Sequence, residues 1–372
     1  MNRRYRNLQS LLIAIVLLIA ISAAILWLWS PNLTKQETVD DLSGVLPNKQ
    51  SVVFAPVSPG KPVVIPDAFQ IQPEYQYGLW NFNANVNGAD GKPYTIQWSF
   101  WRIGQQNVDL PGWRSPQLYL SYLVVSSPVE AFKEQRLARG GIGQAGMNSK
   151  PFRLFIDNWQ WRAMGSTPLP GNLRAATDGF SVDLKMVNTG QYSLPGEEGY
   201  LPHHDLFPIA SYEIAAPFIQ VSGEIQLGAK TVTVEGKGWL SKEWGSSMFE
   251  PYNFGWDWFV LNLADDSVLQ LSQIRYPGHP AYVYASQMRK DGQVVNLEGS
   301  NIVLEPIQYA TQYNGRRIPV VWRLRIAELN VDVTVHAQNI NMWLPFAIPY
   351  WQGGVTTKGS HSVNGYMQLQ GY

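Results

Sequence analysis

The sequence predicts an all-β protein, built as sandwiches or barrels. Three observations carry this. Apolar and polar residues alternate with period two through nearly every segment after residue 73. Turn-forming clusters separate those segments at intervals of about 8–15 residues. The composition is aromatic-rich and charge-poor: 13% aromatic with 15 Trp, and 15% charged against the roughly 25% usual in soluble domains. Many rings and few charges suit extended strands around a large apolar interior.

The first element is the run Leu11 to Trp29, 19 residues without a charge, preceded by Arg3, Arg4 and Arg6. At about 1.5 Å per helical residue it reaches the ~30 Å of a bilayer core. Glu37, Asp40 and Asp41 follow it. The positive-inside rule then leaves the N-terminus in the cytoplasm and everything after Pro31 outside. Ser22-Ala23-Ala24 is also a small-x-small cleavage pattern, so residues 1–30 are expected to be a signal anchor or a signal peptide. Either places the bulk of the chain beyond the inner membrane, in the periplasm or outside the cell, held in the first case by residues 11–29.

Residues 31–72 read as a linker. Pro31, Pro47, Pro56, Pro59, Pro62 and Pro66 recur there without hydrophobic periodicity, which favours an extended tether. Beyond it come strands. From 77 to 86, Trp80, Phe82, Ala84 and Val86 share one face; Ala89-Asp90-Gly91 turns the chain; Ile96, Trp98 and Phe100 share a face from 94 to 103. Segments 118–125, 152–161 and 180–187 continue the pattern. Further strands are expected at 218–227, 231–240, 256–263, 268–275, 281–288, 293–304, 319–326, 331–337 and 363–371. One short helix is expected near 129–139. A faint echo links Gly78-Leu79-Trp80-Asn81-Phe82, with Arg102 closing its hairpin, to Gly255-Trp256-Asp257-Trp258-Phe259, with Arg275 closing its own. A repeat of one β-unit would produce it.

Composition removes several function classes. There are no cysteines, hence no disulfide framework, thiolate chemistry or Cys-ligated metal. Lys+Arg and Asp+Glu are 28 each, so there is no electrostatic footprint for nucleic acid. No cofactor and no metal is expected. His203-His204-Asp205 resembles a ligand set, but adjacent histidines on an extended chain point to opposite faces. Nothing matches Gly-x-Ser-x-Gly, which disfavours a nucleophile-elbow esterase.

The acidic residues set between indoles are the chemical signal. Lys242-Glu243-Trp244 and Trp256-Asp257-Trp258 place carboxylates beside large apolar rings. Such a carboxylate is desolvated, with a raised pKa, or tied into a hydrogen-bond network. Glu243 and Asp257 are therefore the candidate acid–base pair, expected to line one cavity in the C-terminal half. Trp244, Trp256 and Trp258, with Trp80 and Tyr122, are the candidate ligand-binding residues. A structural carboxylate bonded to backbone or Arg is the competing reading.

Ordered motifs across roughly residues 70–372 resemble the AttH-like, or carotenoid 1,2-hydratase-like, family of exported bacterial proteins, also labelled predicted secreted hydrolases. They include Ala138-Arg139-Gly140-Gly141-Ile142-Gly143-Gln144-Ala145-Gly146, Phe152-Arg153-Leu154-Phe155-Ile156-Asp157-Asn158-Trp159, Lys242-Glu243-Trp244-Gly245-Ser246, Pro319-Val320-Val321-Trp322-Arg323-Leu324 and Pro349-Tyr350-Trp351-Gln352-Gly353-Gly354. The resemblance implies two lipocalin-like β-barrel domains, assigned to 73–212 and 213–372. Several polar positions of the family pattern are changed. The Glu of the early Glu-Trp-Trp-Tyr motif is matched by Gly78, a His by Tyr122, an Arg by Ala215 and an Asp by Ser241. These losses favour a membrane-tethered protein that binds an apolar or amphipathic small molecule or lipid. The resemblance also implies a role accessory to ABC-type transporter components. The alternative is a hydrolase or hydratase using Glu243 and Asp257.

Overall fold

The computed structural model describes residues 52–205, 208–246 and 255–372. The run 11–29 and the first part of the linker lie outside them. Among the described residues no helix is long and apolar enough to cross a membrane.

Two antiparallel sheets make up the fold. The first contains β1 (Tyr77–Gly88), β2 (Pro93–Gly104), β3 (Gln117–Ser126), β4 (Ala131–Arg139), β5 (Ala145–Ser149), β6 (Phe152–Ile156), β7 (Trp159–Ala163), β8 (Gly171–Ala176), β9 (Phe180–Asn188), β10 (Tyr200–Pro202), β11 (Ala210–Leu227) and β12 (Lys230–Gly245). The second contains β13 (Gly255–Asn262), β14 (Val268–Arg275), β15 (Tyr282–Met288), β16 (Val294–Glu298), β17 (Ile302–Thr311), β18 (Arg317–Ile326), β19 (Val331–Ala337), β20 (Trp343–Leu344), β21 (Tyr350–Gly359) and β22 (Asn364–Leu369).

The first sheet runs β4-β3-β2-β1-β12-β11-β9-β8-β7-β6-β5, with β10 on β11. The second runs β16-β15-β14-β13-β22-β21-β19-β18-β17, with β20 on β21. The two orders correspond strand for strand, apart from the β5–β6 hairpin of the first. In each, the two edges are consecutive in sequence, so each sheet curls to bring them together. The bridge Gly140↔Ala145 marks that approach in the first sheet. The repeated hairpin is present in register as well: Gly78 pairs Arg102, and Gly255 pairs Arg275. The junction expected at 212/213 falls inside β11, and the first sheet continues to Gly245.

Inward faces form the cores, as alternation requires. In the first sheet Trp98 stacks on Phe100 and Trp161 at 5.6 and 5.7 Å, and Phe82 meets Trp161 edge-on at 5.2 Å. In the second, Phe259 meets Trp322 edge-on at 5.4 Å. Offset and edge-on rings in this range are the favourable geometries.

Three expectations change. Residues 131–139 form β4, a strand, because the exposed edge of β3 offers a complete ladder from Ser126↔Ala131 to Leu118↔Arg139. Tertiary pairing overrides the helix propensity of Glu134-Gln135-Arg136-Leu137-Ala138. The single strand expected at 152–161 is a hairpin, turned at Asp157 with φ 51°. Residues 52–76 are packed against the first sheet and are no free tether. Ala68 and Phe69 are buried in its core, and Ser58 N–H donates to Tyr212 Oη at 2.9 Å.

Candidate functional site

Each sheet also has an outward face, and the two outward faces meet. On β1, Trp80, Phe82 and Ala84 point into the first core, which leaves Leu79 and Asn81 outside. On β13, Asp257 shares the inner face with Phe259, and Trp256, Trp258 and Val260 point outward. Ala215, Phe218 and Trp239 of the first sheet pack on Val260, Val268, Met288 and Tyr366 of the second. Beside this contact the faces enclose a chamber of about 90 Å³. That is several times the roughly 10–15 Å³ one water centre needs.

The chamber holds two carboxyl groups. Glu213 on β11 and Glu243 on β12 stand directly opposite each other in the ladder, on the same face, and both line the space. Directly opposed Cβ atoms lie about 4.5–5.5 Å apart. Tyr77 Oη donates to Glu243 Oε1 at 2.8 Å. Gln270 Nε2, from the second sheet, donates to Glu213 Oε2 at 2.9 Å. Burial pushes Glu213 up to about 8, and the neighbouring Glu243 charge adds to the rise; Gln270 and Ser241 pull the other way. Burial also raises Glu243, while hydrogen bonds from Tyr77 and Ser211 favour its charged form. Two carboxylates this close cannot both ionise at low cost. With Glu213 raised to about 8, the pair still holds a proton near neutral pH.

A polar chain leads away from Glu243. Ser211 bonds to it, and His203 Nε2 lies 2.9 Å from Ser211 Oγ. Burial lowers His203 to about 4, so its imidazole is neutral. His203 stacks on Tyr284 at 6.5 Å, and both line the chamber. His204 points the other way, edge-on to Tyr276 and His279 at 4.9 and 5.6 Å. Two buried polar atoms of lining residues lack a protein partner: Trp101 Nε1 and Gln270 Oε1. An unpaired donor and an unpaired acceptor in one chamber are what a bound polar group satisfies.

The sequence-derived candidates divide accordingly. Glu243, Trp256 and Trp258 line the chamber. Asp257 does not: it lies on the opposite face of β13, fully buried, with Arg275 Nε donating to Oδ2 at 3.0 Å and Tyr372 Oη to Oδ1 at 2.8 Å. Burial lifts it to about 6 against the pull of Arg275. Glu243 and Asp257 therefore do not share one cavity. Trp80 and Trp244 face the first core, where Lys242 Nζ lies 5.0 and 4.7 Å over their rings and donates to Gln70 O at 2.6 Å. Tyr122 joins the halves: its hydroxyl accepts from Ile348 N–H at 2.6 Å, and its ring packs 4.7 Å from Phe346. Glu213 was not among the candidates. Its neighbours Tyr212 and Ile214 flag no indole-flanked acid, and only the register that sets it opposite Glu243 reveals it.

With this geometry in hand, known proteins give a consistent picture. The AttH-like family profile matches residues 56–372. The fold resembles the crystal structure of a protein of Nitrosomonas europaea assigned to AttH, with TM-score 0.75, 25% identity, and cover of 86% of this chain and 100% of that one. It also resembles kievitone hydratase from Nectria haematococca, with TM-score 0.61, 14% identity, and cover of 86% and 95%. At that identity the second likeness concerns the fold alone. No curated protein matches the sequence.

Proposed function

The chain belongs to the AttH-like family, and from that premise we propose that the chamber between its sheets binds an unsaturated apolar or amphipathic small molecule and hydrates it, or runs the reverse dehydration. One observation carries the reading: two carboxyl groups stand directly opposed in one chamber, and burial with the neighbouring Glu243 charge raises Glu213 to about 8. Glu213 gives its proton to one alkene carbon. Water adds to the other carbon and passes a proton to Glu243. The vinyl π pair becomes the new C–H bond, and a water lone pair becomes the C–O bond. The proton then returns from Glu243 to Glu213 across the ladder. The π-faces of Trp256 and Trp258 stabilise the developing cation. Tyr77 holds Glu243 in its charged form until water is deprotonated.

Retention of a ligand without turnover is the second reading, favoured by the unpaired Trp101 Nε1 and Gln270 Oε1, which serve binding alone. One experiment separates the two. The purified chain is incubated with a panel of prenyl and phenolic alkenes in ¹⁸O-water, and products are read by mass spectrometry. Hydration adds one labelled oxygen. Glu213→Gln and Glu243→Gln each cut the rate by about 10²–10⁴-fold, the usual worth of a general acid or base. Compounds retained unlabelled support the binder. Labelling that survives both substitutions overturns the acid–base assignment.

A further inference from the structure

A second cluster of charge lies on the outward face of the first sheet, away from the chamber. Arg153 on β6 stands directly opposite Arg162 on β7; Arg162 pairs Asn172 on β8, which pairs Lys185 on β9. Three cations thus occupy one transverse row across four strands, about 14 Å at the usual strand spacing. They border a groove of about 650 Å³ with no acidic residue in its lining. Among the described residues none of the three forms an ion pair. The nearby Arg174–Asp183 bridge, at 2.9 Å, uses its own charges, and Glu224 and Glu235, one and two strands beyond, border a separate groove on the far side of Lys185. The chain as a whole is neutral, with 28 charges of each sign, so this segregation is local.

Like charges directly opposite in a ladder are destabilising. Here the cost is compounded. Arg153 Nε is occluded without a hydrogen-bond partner, and burial and the Arg162 charge both lower the Arg153 guanidinium. The guanidinium carbon lies 4.2 Å from the centre of the Phe155 ring. A planar, pre-positioned guanidinium beside a second one is the fork geometry that grips an oxyanion from two sides. The rim of the same groove is apolar: Met164 is 93% exposed and Val187 50% exposed.

We propose that the Arg153–Arg162–Lys185 groove is a binding site for a phosphate-type oxyanion carried on an apolar tail, with the guanidinium pair on the phosphate and Met164 and Val187 on the tail. A lipid headgroup and free phosphate share the anionic chemistry; the rim favours the lipid.

Isothermal titration of the full chain with three soluble probes tests this: monohexyl phosphate, inorganic phosphate and 1-hexanol. Hexyl phosphate is expected to bind, to bind roughly tenfold or more weakly once Arg153→Gln and Arg162→Gln are combined, and to weaken steeply with salt. Tighter binding of hexyl than of inorganic phosphate, lost in Met164→Ser, identifies the amphiphile; equal binding of the two identifies free phosphate as the occupant. The urea midpoint of the paired variant should hold or rise, since a repulsion is removed, so lost binding is not lost folding. Absent binding of both phosphates, or binding indifferent to the two arginines, overturns the site.

Discussion

Glu213→Gln tests the chamber through proton linkage, without a known substrate. An ordinary glutamate titrates near 4.5, and Glu213 in the fold near 8. Between these values the folded chain holds a proton that the unfolded chain has released. The folded state therefore binds more protons, and stability falls as pH rises through this window, levelling above about pH 9. The full difference between 4.5 and about 8 bounds the effect at roughly 5 kcal/mol, at 1.36 kcal/mol per unit. The window is read above pH 7, where Lys133, lowered to about 8 by burial, also titrates, but with the opposite sign and alike in wild type and variant. There Asp257, near 6, and His203, lowered to about 4 from 6.5, have largely finished titrating. Integrating one proton with a folded midpoint of 8 from pH 7 to 9 gives a loss of about 1.4 kcal/mol. Glutamine keeps the shape, still accepts from Gln270 and carries no ionisable proton, so Glu213→Gln is expected to remove this loss, and the difference between the two profiles isolates it. The assay is urea unfolding followed by Trp fluorescence at pH 7, 8 and 9. Because the two carboxyl groups titrate as a pair, the comparison is between whole profiles, not single-site values. Parallel profiles for wild type and variant would mean that Glu213 carries no proton near neutrality, and the acid role would fall.

Three other perturbations follow. Asp257→Asn strips Arg275 of its carboxylate and should cost about 2–3 kcal/mol, less than a fully buried pair because the Arg275 side chain is 28% exposed; its urea midpoint should drop while ligand retention in the chamber persists below the transition, and lost retention with unchanged stability would return Asp257 to the site. Tyr122→Phe leaves the buried Ile348 N–H without its acceptor and should cost about 1–2 kcal/mol; an unchanged midpoint would show that this contact between the halves is dispensable. An alkaline phosphatase fusion after Gly60 should be active if Arg3, Arg4 and Arg6 hold the N-terminus inside; activity confined to a cytoplasmic reporter would refute the exported orientation.

Much of this fold is legible in the alternation alone. Trp80, Phe82 and Ala84 lie inside because they fall on one face of one strand, and the turn at Ala89-Asp90-Gly91 fixes where the next strand begins. What stays hidden is local or non-local in a specific way. The 131–139 segment is strand only because β3 has an unpaired edge, a fact held by residues 117–126. The hairpin at 152–163 hides because Phe152, Leu154 and Ile156 lead into Trp159 and Trp161 with a turn too short to interrupt the apolar pattern. For the site, aromatic flanking picks out Glu243, which lines the chamber, and Asp257, which lies in the core behind it. Asp257 is fully buried and Glu243 half-buried, but alternate strand positions face opposite ways, and only the packing of sheet on sheet decides which face is a chamber and which a core. Glu213 depends on the register of β11 against β12, set by thirty residues of pairing that no short motif encodes.

The chamber is made from the faces that neither sheet uses for its own core. On β1, β11, β12 and β13, the residues that keep each sheet folded and the residues that line the chamber alternate along the chain, one step apart and back to back. Selection on chemistry and selection on folding therefore act on interleaved but separable sets of positions. Ser241 and Ala215 lie on the outward face, where substitution leaves the inward packing of Leu240, Ile214 and Ala216 untouched. Such a division leaves the chamber open to change at every second residue of a few strands, with both cores kept.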